Sequence, residues 1–197
     1  MKKILLLSIT LFIGFFSANA QTTAWNYDVS HTKIGFTVGH FGISETDGKF
    51  TKFTGQVMAD KPDFSDAKIN LKIEVSSVFT DDVKRDEHLR SADYFDAAKY
   101  PDITFVSKSF KSVGKNKYLL TGDLTIKKVT KSVSLNVVYR GTVPKDPWGN
   151  TKAGFSLTGL INRQDFGLNW TGKLESGDLL VADEVNLIMN LELNKVK

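Results

Sequence analysis

The strongest constraint in this chain is a two-residue alternation of apolar and polar side chains that recurs from residue 33 to residue 193. Ile34, Phe36 and Val38 alternate with Lys33, Gly35 and Thr37; Ile69, Leu71, Ile73 and Val75 alternate with Lys68, Asn70, Lys72 and Glu74. The pattern returns at Tyr118 to Ile126, Val133 to Tyr139, Ala153 to Ile161 and Val185 to Leu193, with shorter pieces at Gly55 to Ala59 and Ile103 to Phe105. A period of two puts the apolar side chains of a strand on one face, as half-buried antiparallel strands require, and about eight strands follow. Turn residues separate them at Gly42 to Gly48, Asp60 to Asp66, Lys111 to Asn116, Val143 to Asn150 and Ser176 to Asp183. This is an all-β pattern. A meander of such hairpins closes most economically into a single antiparallel eight-stranded barrel, which leaves no exposed edge and encloses room for one small ligand. A two-sheet sandwich is the competing architecture.

One stretch breaks the period. Thr80 to Tyr100 is charged and Ala-containing, ends at Pro101 and suits one or two short helices, with Ser91 as a candidate N-cap. At the other end of the chain, Met1-Lys2-Lys3, the apolar run Ile4 to Phe16 and the small residues Ala18 and Ala20 have the three parts of a secretory signal. Cleavage after Ala20 is expected, leaving one domain over 21–197 in the periplasm or outside the cell. Removing Lys2 and Lys3 lowers the net charge from +4 to +2, and no long basic run remains, which argues against nucleic acid. The chain has no cysteine, so disulfide scaffolds, thiolate metal centres and thiol nucleophiles are excluded.

The polar clusters give little support to catalysis. His31 and His40 are an odd number of residues apart, which sets them on opposite faces of a regular strand and argues against a shared metal; no metal is expected. Asp86 and Arg90 have the spacing of a helical ion pair, and Arg85 and His88 share a helix face. Arg163 and Asp165 read as a pair pinning a turn. None of the familiar nucleophile, metalloprotease or nucleotide-binding motifs occurs. The aromatic supply is more informative: three of the 14 phenylalanines leave with the signal, and Phe36, Phe53, Phe105 and Phe155 lie on apolar strand faces. In a sandwich they are core, whereas in a barrel they can line a cavity.

Several motifs in fixed order carry a resemblance over nearly all of the mature chain. They are Trp25-x-x-Asp28-x-x-His31-Thr32, Phe36-x-Val38-x-His40-Phe41-Gly42, Gly48-Lys49-Phe50-x-x-Phe53-x-Gly55, Arg85-Asp86-x-His88-Leu89-Arg90-Ser91-x-Asp93-x-Phe95-Asp96, Tyr100-Pro101-x-Ile103-x-Phe105-x-Ser107, Gly122-Asp123-Leu124-Thr125-Ile126, Val129-Thr130-Lys131 and Asn162-Arg163-x-Asp165-Phe166-Gly167. The sequence resembles the YceI-like family of exported bacterial proteins. Lys127-Lys128 stands where relatives often carry Arg-Gly, and Ser132 where they carry Pro, so the geometry of that hairpin turn is left open.

The resemblance implies a lipocalin-like barrel whose tunnel holds a polyisoprenoid lipid or isoprenoid quinone for transport or storage, with no cofactor and no chemical step. Such a protein could also serve in envelope stress, touch a membrane transiently or form a homodimer. The expected lining is Phe36, Val38, Phe53 and Val57 from the first hairpins, Phe95, Phe105, Leu124 and Ile126 from the middle, and Phe155 and Phe166 from the last third. His31, His40, Arg85, His88 and Arg163 are the candidates for a polar head group at the tunnel mouth. Two alternatives stand beside it: an enzyme acting on an isoprenoid lipid through Asp86, His88, Arg163 or Asp165, and an envelope interaction protein that uses the barrel as scaffold.

Overall fold

The alternating segments become strands β1 (Ala24–Tyr27), β2 (Lys33–His40), β3 (Ser44–Phe50), β4 (Phe53–Met58), β5 (Lys68–Glu74), β6 (Val78–Phe79), β7 (Asp102–Gly114), β8 (Lys117–Ile126), β9 (Val129–Val143), β10 (Lys152–Asn162) and β11 (Val181–Lys195), with one helix, α1 (Val83–Arg90), before β7. The structure is a computed structural model that describes residues 22–197 apart from Leu174, Ser176 and Asp178; the expected signal segment lies outside the described residues. All pairings are antiparallel, and the ring β1-β4-β5-β7-β8-β9-β10-β11 closes through β11 and β1. This is an eight-stranded barrel, and the sandwich is excluded.

Eleven strands make eight staves because three staves are bent. The pieces β1 and β2 both pair with β11; β4 pairs with β1 and β5, while β3 pairs with β2 and β6. Side chains stitch the bends. Thr32 Oγ1 donates to the Glu192 carbonyl and accepts from the Glu192 amide, both at 3.1 Å. Ser77 Oγ accepts from the Lys52 amide at 3.0 Å where β3 meets β4. The stretch Gly42 to Gly48, expected as a turn, is mostly β3, because paired Thr46 and Asp47 continue the ladder against Val38 and Thr37.

The two-residue period sets the inward face. Along β8, Tyr118, Leu120, Gly122, Leu124 and Ile126 are buried in strict alternation with residues that are not. Gly48 and Gly122 sit on this face for steric reasons: a Cβ at either would strike the ring of Phe36 or Phe105. The glycines let each ring lean over the neighbouring strand.

Strand direction defines two ends. One, the floor, carries β1, the loop from Ala59 to Ala67 and the start of β10; the other, the rim, carries α1, the segment Ser91 to Pro101 and residues 163–173. Asp82, not Ser91, caps the start of α1, its carboxylate accepting from the Arg85 amide at 3.0 Å. Ser91 closes the helix instead, its Oγ donating to the His88 carbonyl at 2.8 Å. The open question of the β8–β9 turn resolves at Lys127, which takes a left-handed φ of 54° and donates to the Tyr94 carbonyl at 2.9 Å, tying the hairpin to the rim segment.

Candidate ligand cavity

Burial along the inward face is uneven, and this unevenness locates a hollow. On β11, Leu193 is 1% exposed, yet Leu187 and Leu191 on the same face remain half-accessible. Phe36, Val38, Ile69, Leu71, Val133 and Ile161 are likewise inward but incompletely covered. They surround a cavity of about 320 Å³ that runs from Tyr27 and Leu120 up to His40, Arg85 and Trp170. Its wall is almost wholly aliphatic and aromatic, with polar side chains gathered toward the rim, which is the composition of a site for an apolar ligand with one polar end.

The structure brings ten of the fifteen sequence-named residues to this cavity: Phe36, Val38, His40, Arg85, His88, Phe95, Phe105, Leu124, Ile126 and Arg163. Val57 and Phe155 lie below it, around a smaller void of about 40 Å³. Phe53 packs behind the wall, edge-on to Tyr27 at 6.1 Å between ring centroids. Phe166 is 2% exposed, held in the 3-10 turn Arg163–Phe166 outside the lining. His31 stands at the β1–β2 bend on the outer side of the barrel, its side chain 62% exposed.

At the rim, the polar groups divide into those already engaged and those with capacity to spare. Arg163 is 1% exposed. Its Nε donates to the Ala182 carbonyl at 2.9 Å, Nη1 to the Leu168 and Trp170 carbonyls at 2.6 and 2.8 Å, and Nη2 to the Val181 carbonyl at 3.3 Å and Asp183 Oδ1 at 2.9 Å. All five N–H groups of a guanidinium are thereby used, so Arg163 staples Leu168 and Trp170 to the start of β11 and has no donor left for a head group. The pairing with Asp165 expected from extended geometry does not form, because the 3-10 turn redirects both side chains and Asp165 meets Lys131 at 2.7 Å.

A second cluster fixes α1. Thr80 Oγ1 donates to buried Asp86 Oδ1 at 2.6 Å and accepts from Arg85 Nε at 2.8 Å, while Asp86 Oδ1 also accepts from the Thr80 amide at 2.9 Å. Asp86 is therefore turned toward Thr80 rather than Arg90. His88 and His40 make no side-chain hydrogen bond among the described residues; His88 lies edge-on to Trp170 at 5.1 Å, and His40 rests on Phe41 at 3.8 Å. Burial raises the phenol of Tyr94, partly offset by the Arg163 charge, so it remains a neutral donor at the same mouth. Asp86, His88, Arg163 and Asp165 do not converge: each carboxylate and the guanidinium has its own partner, and among the described residues no acid orients His88 as a base.

Residues 25–193 match the YceI-like domain. The chain belongs to the YceI-like family. A UPF0312 protein of Photorhabdus laumondii is 38% identical over 190 residues, covering 93% of this chain and 97% of the relative. Among solved structures, BcnA of Burkholderia cenocepacia superposes with a TM-score of 0.73 at 28% identity, over 84% of this chain and 98% of BcnA. A polyisoprenoid-binding domain from Saccharophagus degradans shares the fold with a TM-score of 0.59 at 18% identity, over 88% of this chain and 99% of that domain.

Within this YceI-like chain the Asp28-x-x-His31-Thr32 motif acts as a latch. Lys152 Nζ reaches Asp28 Oδ2 at 2.7 Å and Glu192 Oε1 at 2.6 Å, and His31 Nδ1 lies 3.2 Å from Asp28 Oδ1. Partial burial pushes the Asp28 carboxyl up, but hydrogen bonds from Lys152, His31, Asn194 and the Ser30 amide outweigh it and hold the group well below the usual carboxylate range. The same two carboxylates raise Lys152 above the usual lysine value. Asp28, His31 and Glu192 have the spacing of a cation site, and the Lys152 ammonium already supplies the cation.

Sequence reading missed Leu187 and Leu191, although their period-two register with Met189 carried the signal. It also missed Trp170, which no periodicity marks, and Phe64, a lone aromatic in the Asp60 to Asp66 turn.

Proposed function

We propose that this YceI-like protein holds the apolar tail of a polyisoprenoid lipid or isoprenoid quinone in its barrel, as an exported carrier or store. The observation that carries the reading is the hydrocarbon-lined cavity of about 320 Å³, closed at the floor, with its polar side chains gathered mostly near the rim. Each CH₂ transferred from water into such a site contributes roughly 0.8 kcal/mol, so a tail of a few isoprene units suffices for capture. Branched isoprene methyls fit between the aliphatic side chains and the rings of Phe36 and Phe105. At the mouth, His40, His88 and Tyr94 can meet a neutral oxygen, and Arg85 supplies the positive charge. The role is binding, and the sequence signal at residues 1–20 supports export to the periplasm or beyond.

Native mass spectrometry of the purified protein, followed by organic extraction, tests this. A prenyl lipid recovered in stoichiometric amount, or taken up when polyprenol is added, is the expected result. A cavity that stays empty under both conditions removes the proposal.

A further inference from the structure

The floor of the barrel has a construction that simple closure does not require. The loop from Ala59 to Ala67 folds inward and places Phe64 across the axis at 2% exposure, with φ at +60°. A non-glycine residue takes that conformation against steric preference, so the surrounding structure must hold it there. Three rings do so: Trp25, Phe155 and Tyr139 stand 4.9, 5.0 and 5.6 Å from Phe64 between centroids. Tyr118 Oη donates to the Asp63 carbonyl at 2.6 Å, and the Asp66 carboxylate accepts from the Asp60 and Lys61 amides. Hydrogen bonds also join Phe64 back to Lys61 and Ala67 back to Phe64.

Above this plug lies the void of about 40 Å³, and its wall shares Tyr27, Ile69, Leu120, Leu157 and Leu191 with the main cavity. One layer of side chains therefore separates the two spaces. The phenols at this level are occupied, Tyr27 by the Asn70 carbonyl and Tyr118 by that of Asp63, so a ligand finds no free donor here. The site suits the hydrocarbon end of a chain.

We propose that Phe64 and the residues around the lower void form a length gauge: the tail enters from the rim, its last methyl groups reach the lower void, and Phe64 stops it. This rests on the lipid-binding reading and adds to it a limit on tail length and the residues that set it. Affinity should climb with each added unit until the tail meets the floor, and fall for the next.

The test measures uptake of two graded series, polyprenols and straight-chain n-alkanols, by native mass spectrometry with the wild type, Phe64→Ala and Leu157→Phe. Phe64→Ala should move the optimum to longer chains, by at least one isoprene unit and with a several-fold gain for chains the wild type rejects. Leu157→Phe adds volume between the voids and should move it to shorter chains; it tests the proposal even where loss of Phe64 impairs folding. Optima that stay fixed in both folded variants, or a wild type without an optimum, overturn the gauge while leaving lipid binding intact. If only alkanols bind and their optimum shifts, the gauge stands and the isoprenoid assignment falls. Uptake of neither series overturns both.

Discussion

The rim and the floor of this barrel are built from the same eight staves with the same period, yet they close in opposite ways. At the floor, Trp25, Phe64, Tyr139 and Phe155 interlock ring against ring, and Tyr27 and Tyr118 both donate to backbone carbonyls. At the rim, Val38, His40, His88 and Trp170 are only half-buried, and the two histidines have no side-chain hydrogen-bond partner among the described residues. The contrast shows that hollowness here is a matter of depth: an inward residue packs or lines according to its height along the axis. It also separates two kinds of polar residue at one mouth, the fully committed Arg163 and the uncommitted His88.

The largest effect should come from the packed end and the buried staple. Phe155→Ala removes a ring from a closed aromatic cluster and should cost about 3–5 kcal/mol in urea unfolding, whereas Val38→Ala, facing the hollow, should cost about 1 kcal/mol. Equal losses at the two depths would break the distinction between packing and lining. Arg163→Met leaves four carbonyls and Asp183 without their donor and should destabilise by about 3–5 kcal/mol, with amide exchange accelerated in residues 167–183.

Next comes the latch between β1, β10 and β11. Lys152→Met leaves Asp28 and Glu192 facing each other and should cost about 1–3 kcal/mol. Because the folded-state pKa of Asp28 is depressed, its stabilisation is complete above the unfolded carboxylate value of about 4 and is lost as pH falls toward the lower folded value. Lys152 works in the other direction: its raised pKa contributes fully below about 10 and fades as pH rises beyond it. Asp28→Asn should therefore flatten the acid limb of the stability profile in chemical denaturation. The smallest effect on stability is expected at His88→Ala, within about 0.5 kcal/mol, while retention of the extracted lipid falls; a loss of stability like that of Arg163→Met would place His88 among the structural residues.

The all-β barrel was legible because alternation fixes which face each residue takes, and β8 realises the expected pattern from Tyr118 to Ile126. Depth was not legible. Phe105 and Phe155 share the inward face, and only strand register sends one to the hollow and the other to the floor. Phe64 escaped because its position depends on a loop crossing the axis, a long-range event that leaves no period. The expected Arg163–Asp165 pair fails for a local reason: extended geometry would join them, and a four-residue 3-10 turn directs Arg163 toward Asp183 instead. Ser91 carried the right residue type for a cap and served the wrong end of the helix, since Asp82 lies at the β-to-helix transition.

A crystal structure of the protein with its co-purified or added polyprenyl lipid decides whether the barrel holds the tail and at which end the head group sits. The tail should run between Phe36 and Phe105 with its terminus above Phe64 and its polar end beside His40 and His88. A lipid on the outer surface of the barrel, or one with its head group at the floor, would contradict this placement.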